Sequence, residues 1–270
     1  MNFIVTDLGR KTWQIDSYHA VSMFLIEGDQ AAMLIDTGAG IGDLKAQVEQ
    51  LTDKPLIVVN THGHLDHTGG NMQFKEAWLD PDDLDMNRNP DTYDVRVNYA
   101  RSRVGNFWPE KMEEAVAAVL PSGEVHYREL SDGTVFELGN RPVEVIKTPG
   151  HSMGSVVLLD RAAHQLFTGD MVNFQVLIYK GMSAPMNVYV ESLKKMKARS
   201  SEFDRILRGH SQPIGSEADM DVLISIVEDI MSGRDVGHYE EVGIRKGWVV
   251  SRGDFSVWYE GPEGKPLEVK

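Results

Sequence analysis

The sequence contains no cysteine, which removes disulfides, thiolate nucleophiles and thiolate metal ligands together. Any metal must then be held by nitrogen and oxygen. Basic residues are also scarce: 27 Lys and Arg stand against 41 Asp and Glu, for a formal charge of -14. A field of that sign repels phosphate backbones, so a small-molecule substrate is expected as partner and nucleic acid is not. No apolar run is long enough to cross a bilayer, and residues 1–16 lack the basic start and apolar core of a signal peptide. No membrane partner is expected, and the expected location is cytoplasmic. No repeat and no Ser- or Pro-rich linker divides the chain, which favours one domain over residues 1–270.

What is present is a chain of 270 residues, 41% hydrophobic and 25% charged, enough for a sizeable core. Short β-rich runs at 3–5, 12–15 and 21–27 are followed by 31–35 across the three-residue loop Gly28-Asp29-Gln30, an antiparallel opening. Leu44, Val48 and Leu51 share one helix face within 43–51. Leu56-Ile57-Val58-Val59 is a continuous run of the kind buried on both faces of a sheet. A short helix after Gly70 and a strand over 77–79 come next. Residues 81–120 then mix turn signals, including Asn89-Pro90-Asp91, with helical patterns such as Glu110 to Leu120 behind Pro109, and read as a mostly helical insertion. Further strands are expected at 124–130, 134–138, 142–147, 156–159, 165–168, 205–207, 247–250 and 255–259. Helices are expected at 187–199 and 217–232.

The densest chemistry lies directly after 56–59. Residues 62–67 hold His62, His64, Asp66 and His67, and clustered charge of this kind must be paired or metal-bound. Three later strand ends carry a comparable group: His151 in Thr-Pro-Gly-His-Ser, Asp170 in Thr-Gly-Asp, and His210 in Arg-Gly-His. The carboxyl ends of strands in α/β layers are where ligand sites form. His19, His126, His164 and His238 fall outside these loops and read as surface or packing residues.

The run Thr-His-Gly-His-Leu-Asp-His, followed in order by Pro-Gly-His-Ser, Thr-Gly-Asp and Gly-His, closely resembles the metallo-β-lactamase fold superfamily over roughly residues 20 to 215. The resemblance implies an α/β fold, a four-layer αββα sandwich with the metal site at one edge of its two sheets. It implies that His62, His64 and His151 hold one metal, that Asp66, His67 and His210 hold a second, and that Asp170 bridges them. In His-x-His an extended backbone puts both imidazoles on one side, which agrees with a shared ion. Two divalent ions are expected, zinc first, with iron or manganese also compatible with these donors. Asp36 in Leu-Ile-Asp-Thr-Gly resembles a residue that braces the histidine loop; a turn-forming Asp is the alternative.

Two metals about 3.5 to 4 Å apart can share a hydroxide that attacks an ester-like substrate, with Asp66 placed to relay a proton. Relatives using a Cys ligand, or Glu where this chain has His64, do not fit. RNA nucleases and other phosphodiesterases need a basic arm that is not evident, and β-lactamase activity is equally disfavoured. No basic cluster for a glutathione moiety is evident after His210. A lactonase would carry Tyr soon after Asp170, where Asn173 stands instead, so that role would fall to Tyr179. A metal-dependent hydrolase acting on a thioester or lactone is therefore expected, with a mononuclear iron persulfide dioxygenase as the alternative. The insertion is expected to cover the active site. Its Tyr93, Tyr99, Arg101, Arg103, Phe107 and Trp108 are candidates for one wall of the substrate pocket, as are Asn173 and Tyr179; packing onto the sheet is the alternative for each aromatic.

Overall fold

The apolar run of residues 56–59 is an inner strand of the first sheet, and its alternate side chains feed two different cores. Val59 packs with Phe24, Ile26 and Ile35, while Val58 packs with Leu34, Leu44 and Val48. This period of two is what a strand covered on both faces requires. In the computed structural model, which describes residues 3–88, 93–210, 213–242 and 245–262, that sheet has seven strands in sequence order. They are β1 (Phe3–Asp7), β2 (Thr12–Ser17), β3 (Val21–Glu27), β4 (Ala32–Ile35), β5 (Leu56–Val59), β6 (Glu76–Leu79) and β7 (His126–Glu129). The first four pair antiparallel and the pairs from β4 to β7 are parallel. The β3–β4 turn is one residue longer than expected: Glu27 lies opposite Ala32, and Ala31 is drawn into the turn by accepting from the Gly28 amide at 2.9 Å.

The second sheet is built from β8 (Val135–Glu137), β9 (Pro142–Lys147), β10 (Val156–Asp160), β11 (Gln165–Gly169) and β13 (Arg205–Arg208). Every residue of β10 is buried, with Val156 and Leu158 facing the first sheet and Val157 and Leu159 facing away. Phe24 meets Phe167 edge-on between the sheets, centroids 5.3 Å apart. Helix α1 (Leu44–Glu49) covers the outer face of the first sheet through Leu44 and Val48, with Asp43 capping it by accepting from the Ala46 amide. Helices α7 (Met186–Lys197) and α8 (Glu217–Ser232) cover the second through Tyr189, Leu193, Met196, Leu223 and Val227. The result is the expected αββα stack.

A third sheet, not anticipated from sequence, is formed by β12 (Gln175–Ile178), β14 (His238–Val242), β15 (Arg245–Arg252) and β16 (Phe255–Tyr259) in the order β12-β16-β15-β14. Only its β15–β16 hairpin was legible. Strand β12 pairs parallel to β16, some eighty residues later. β14, His-Tyr-Glu-Glu-Val, is a charged strand at the sheet's edge with no apolar alternation to announce it.

Between β6 and β7 lie α3 (Leu84–Arg88), α4 (Tyr93–Tyr99), a π-helical turn over Ala100–Val104, α5 (Gly105–Phe107) and α6 (Met112–Ala117). The Asn89-Pro90-Asp91 turn lies outside the described residues. The helix behind Pro109 stops at Ala117 rather than Leu120, because Val119 bridges Ile41 and the Leu120 amide donates to Gly40. No described helix is long and apolar enough to cross a membrane.

One ion pair fastens the N-terminal strands to the second sheet. Arg141 donates to Asp160 through Nε at 2.9 Å and Nη2 at 2.6 Å, and to the carbonyls of Lys11 and Glu27 at 2.9 Å each. Both side chains are buried. Arg141→Ala strands the Asp160 charge and is expected to destabilise the fold by about 3 to 5 kcal/mol. Denaturant unfolding checks this; a change below about 1 kcal/mol would contradict it.

Candidate metal centre

Five strand ends converge at one edge of the sandwich: β4 delivers Asp36, β5 the 60–68 segment, β9 the His151 turn, β11 Asp170 and β13 His210. The stretch after β5 is not wholly loop. Leu65–Thr68 forms a single helical turn, α2, which carries Asp66 and His67 away from the extended His62 and His64. Asn60 Nδ2 donates to the carbonyl of His67 at 2.9 Å, and Asn71 Nδ2 donates to Asn60 Oδ1 at 2.8 Å, so the turn is held by buried amides.

Three imidazoles meet on one side. His64 Nδ1 lies 3.0 Å from His62 Nε2 and 2.9 Å from His151 Nε2. Nitrogens about 2.0–2.1 Å from one zinc ion stand about 3.3 Å apart in a tetrahedron, so these lone pairs are spaced as ligands of a common ion. The remaining nitrogens orient the rings: His62 Nδ1 is 3.1 Å from Thr61 Oγ1, and His151 Nδ1 donates to the Leu177 carbonyl at 3.2 Å. Burial, then the neighbouring imidazoles, push His62 well below the usual histidine range and His64 down to about 4; burial lowers His151 as well. All three are neutral, the form that ligates metal.

The second group is held by carboxylates. His67 Nε2 lies 3.4 Å from Asp170 Oδ1, and His210 Nε2 lies 3.1 Å from Asp170 Oδ2 and 3.8 Å from Asp66 Oδ2. His151 Nε2 is 3.6 Å from the same Asp170 oxygen, so Asp170 stands between the two groups. Burial pulls His67 and His210 down, but Asp36 and Asp170 lift His67 well above its ordinary value, and Asp170 and Asp66 lift His210. Burial opposes ionisation of Asp66 and Asp170, yet the facing histidines hold both below the usual range. His64 Nε2, His67 Nε2 and Asp170 Oδ1 are buried without a hydrogen-bond partner. Close approach is possible because residue 209 is glycine: a Cβ there would stand 2.5 Å from Asp170 Oδ1 and 2.6 Å from the His67 ring.

Asp36 makes the contacts of a brace. Its Oδ1 accepts from the Thr61 amide at 2.7 Å, and Oδ2 accepts from Thr61 Oγ1 at 2.8 Å and from His67 Nδ1 at 2.7 Å. It holds a left-handed backbone, φ 61°, which costs a non-glycine residue about 1 kcal/mol or more and persists only where contacts enforce it. Asp83, in the helical turn Pro81–Asp83 after β6, does comparable work. It accepts from the Gly63 amide at 2.8 Å, the Gly154 amide at 2.7 Å and Ser152 Oγ at 2.6 Å. One buried carboxylate therefore ties the His62–His64 segment to the His151 turn. No sequence signal marks it, since the partners are backbone amides far along the chain.

The pocket-wall candidates separate. Tyr99 reaches the site, its hydroxyl donating to Asp66 Oδ2 at 3.2 Å, and burial beside Asp66 raises it well above the usual tyrosine value. Arg103, one turn on, is the arginine whose charge is felt at His210 and Tyr99; Arg101 is exposed. Trp108 packs on Tyr18 and His19 at centroid distances of 6.3 and 5.1 Å, a joint between the insertion and the β2–β3 turn. Tyr93 is exposed. Asn173 is sealed, and neither polar atom of its amide has a protein partner. Tyr179 donates to the Lys246 carbonyl at 3.2 Å. His19, His126, His164 and His238 fall in none of the metal-competent groups found among the described residues, which are His62–His64–His151, His62–His67–Asp170 and Asp66–His67–His210.

The chain belongs to the metallo-beta-lactamase superfamily, whose family model matches residues 18–210. Among curated proteins it is 29% identical over 217 residues to the acyl-coenzyme A thioesterase MBLAC2 of Gallus gallus, covering 75% of this chain and 76% of that one. It is 23% identical over 149 residues to the hydroxyacylglutathione hydrolase GloC of Haemophilus influenzae, covering 54% and 63%. Among solved structures, a metallo-beta-lactamase from Pontibacter korlensis superposes with a TM-score of 0.57 at 18% identity, covering 84% of this chain and 99% of that one.

Two outcomes are expected at this centre. Asp83→Ala frees the Gly63 and Gly154 amides and should weaken metal binding about 10- to 100-fold, the usual loss when an orienting group is removed; competition with a chelating indicator measures it, and unchanged affinity would refute the role. Because His67 and His210 hold protons above the ordinary imidazole pKa, an incoming ion must displace them. Affinity should therefore fall as pH drops from above that value, with protons released on loading. Calorimetry in buffers of different ionisation enthalpy reads the release, and a pH-independent affinity would contradict it.

Proposed function

We propose that this chain hydrolyses a thioester with two metal ions held at the centre described above. The observation that carries the reading is the convergence of five histidines and two aspartates in three overlapping metal-competent groups. The superfamily is one of metal-dependent hydrolases, and the donor set fits: nitrogen and carboxylate only, three imidazoles kept neutral, and His67 Nε2 and Asp170 Oδ1 buried without a hydrogen bond. His62, His64 and His151 would hold one ion and Asp66, His67 and His210 the other, with Asp170 shared. Zinc suits this set first, and iron or manganese accept the same donors. Bound there, the ions supply a water of lowered pKa and a Lewis acid for the carbonyl oxygen.

The chain's own residues supply orientation and proton handling. Asp36 fixes His67 so that Nε2 faces Asp170. Tyr99, kept protonated by burial beside Asp66, donates to Oδ2 and steadies that carboxylate, which takes the proton of the attacking water. A thiolate leaves with a conjugate-acid pKa of about 8.5, so no separate general acid is required. Segment 81–120, which contributes Tyr99, covers the substrate.

Two observations favour thioester over lactone. Relatives matching three quarters of the chain are acyl-coenzyme A thioesterases. Tyr179, the residue left for a lactonase role, has its hydroxyl engaged by Lys246.

Metal quantification on active protein, with turnover on a panel of thioesters, lactones, β-lactams and phosphodiesters, tests the reading. About two ions per chain are expected, with thioesters turned over fastest and Asp170→Ala slower by about a hundredfold or more. One iron per chain, with oxygen consumed on a glutathione persulfide, would select the dioxygenase instead.

A further inference from the structure

Charge in this chain is arranged so that arginines meet carboxylates. Eight described arginines are ion-paired, from the buried Arg141–Asp160 to the surface Arg252–Asp229. Arg101 is exposed and Arg205 donates to the Leu8 carbonyl, whereas Arg103 and Arg245 depart from that pattern in another way. Neither has an ion pair among the described residues, although both are partly buried in a chain of charge -14.

Arg103 lies four residues after Tyr99 on one continuous helical stretch, hence on the same face. Since Tyr99 bonds Asp66, that face looks onto the metal centre. Arg103 rests over the Phe107 ring at 4.9 Å, and its Nε is buried with no acceptor. Arg245 opens β15 and donates to Gln175 Oε1, a neutral partner. Gln175 begins β12, two residues before the Leu177 whose carbonyl holds His151. Arg245 thus meets the strand that supplies the Leu177 carbonyl to His151. The two guanidinium charges oppose each other: burial and then Arg103 lower the Arg245 pKa. Two half-buried cations from separate elements, repelling each other and lacking a carboxylate, are stabilised when an anion sits between them.

We propose that Arg103 and Arg245 form an oxyanion subsite beside the metal centre, which takes the phosphate or carboxylate groups carried by the thiol half of the thioester. This rests on the thioester reading above, and it gives the basic recognition element that was not evident after His210 in sequence. Arg245 does lie after His210, beside Lys246, but its partner stands 142 residues earlier in the chain.

The test is calorimetric binding of non-hydrolysable thioethers to the metal-loaded full chain: S-methyl-coenzyme A carrying phosphates, S-methylglutathione carrying carboxylates, and neutral S-methylpantetheine. Wild-type protein should bind one charged thioether more tightly than the neutral one, and which one identifies the anion source. Arg103→Gln and Arg245→Gln should each reduce that preference, the ratio of neutral to charged dissociation constants, about tenfold, consistent with losing one charge-assisted contact. A merely structural role would weaken the charged and neutral compounds alike and leave the ratio unchanged, which overturns the proposal. So does wild-type protein that shows no preference for a charged compound. Turnover of a neutral acyl-pantetheine by wild-type protein reads the thioesterase reading separately, because binding of the thioethers does not depend on hydrolysis.

Discussion

The geometry of the centre depends on a carboxylate that does not itself need to touch metal. Asp36 sits immediately after β4, buried and in a left-handed conformation, and accepts from the Thr61 amide, the Thr61 hydroxyl and His67 Nδ1. Those three bonds join the end of β4 to the segment after β5 and fix which nitrogen of His67 is free. Were the ring turned over, Nε2 would no longer stand 3.4 Å from Asp170, and the shared position of Asp170 would be lost. The local backbone strain is thus the local cost of an orientation that the rest of the centre uses.

Electrostatics divides seven groups into two sets with different starting states. His62, His64 and His151 are crowded together away from Asp36, and burial with mutual repulsion makes them neutral. His67 and His210 face carboxylates, which outweigh the same burial and keep protons on them. The first set is ready to ligate as it stands, whereas the second must exchange protons for metal.

What could be read in advance follows the range of the interaction. Strands β5 and β10 were visible because Leu56-Ile57-Val58-Val59 and Val156 to Leu159 are apolar runs, and the histidine motif was visible because six consecutive residues hold four of the groups. β12 was not, since Gln175–Ile178 is stabilised by pairing with a strand eighty residues away. Asp83 was hidden for a similar reason: its partners are the amides of Gly63 and Gly154 and the hydroxyl of Ser152, and an amide leaves no trace in side-chain pattern. Among the pocket-wall candidates, sequence could not separate Arg101 from Arg103, because the choice turns on a π-helical register over Ala100–Val104.

Segment 81–120 holds the centre together through three separate contacts. Its first turn contributes Asp83, which ties two histidine-bearing segments together; its middle contributes Tyr99, which bonds Asp66; and Trp108 seats it against Tyr18 and His19. The β2–β3 turn on which Trp108 rests also carries Ala20, whose carbonyl accepts from His210 Nδ1 at 2.6 Å. Contacts that orient histidines on both sides of Asp170 therefore run through one inserted segment and the turn beneath it. A sequence change there would also shift the ligand side chains, so the inserted segment and the geometry of the centre are physically linked in this chain.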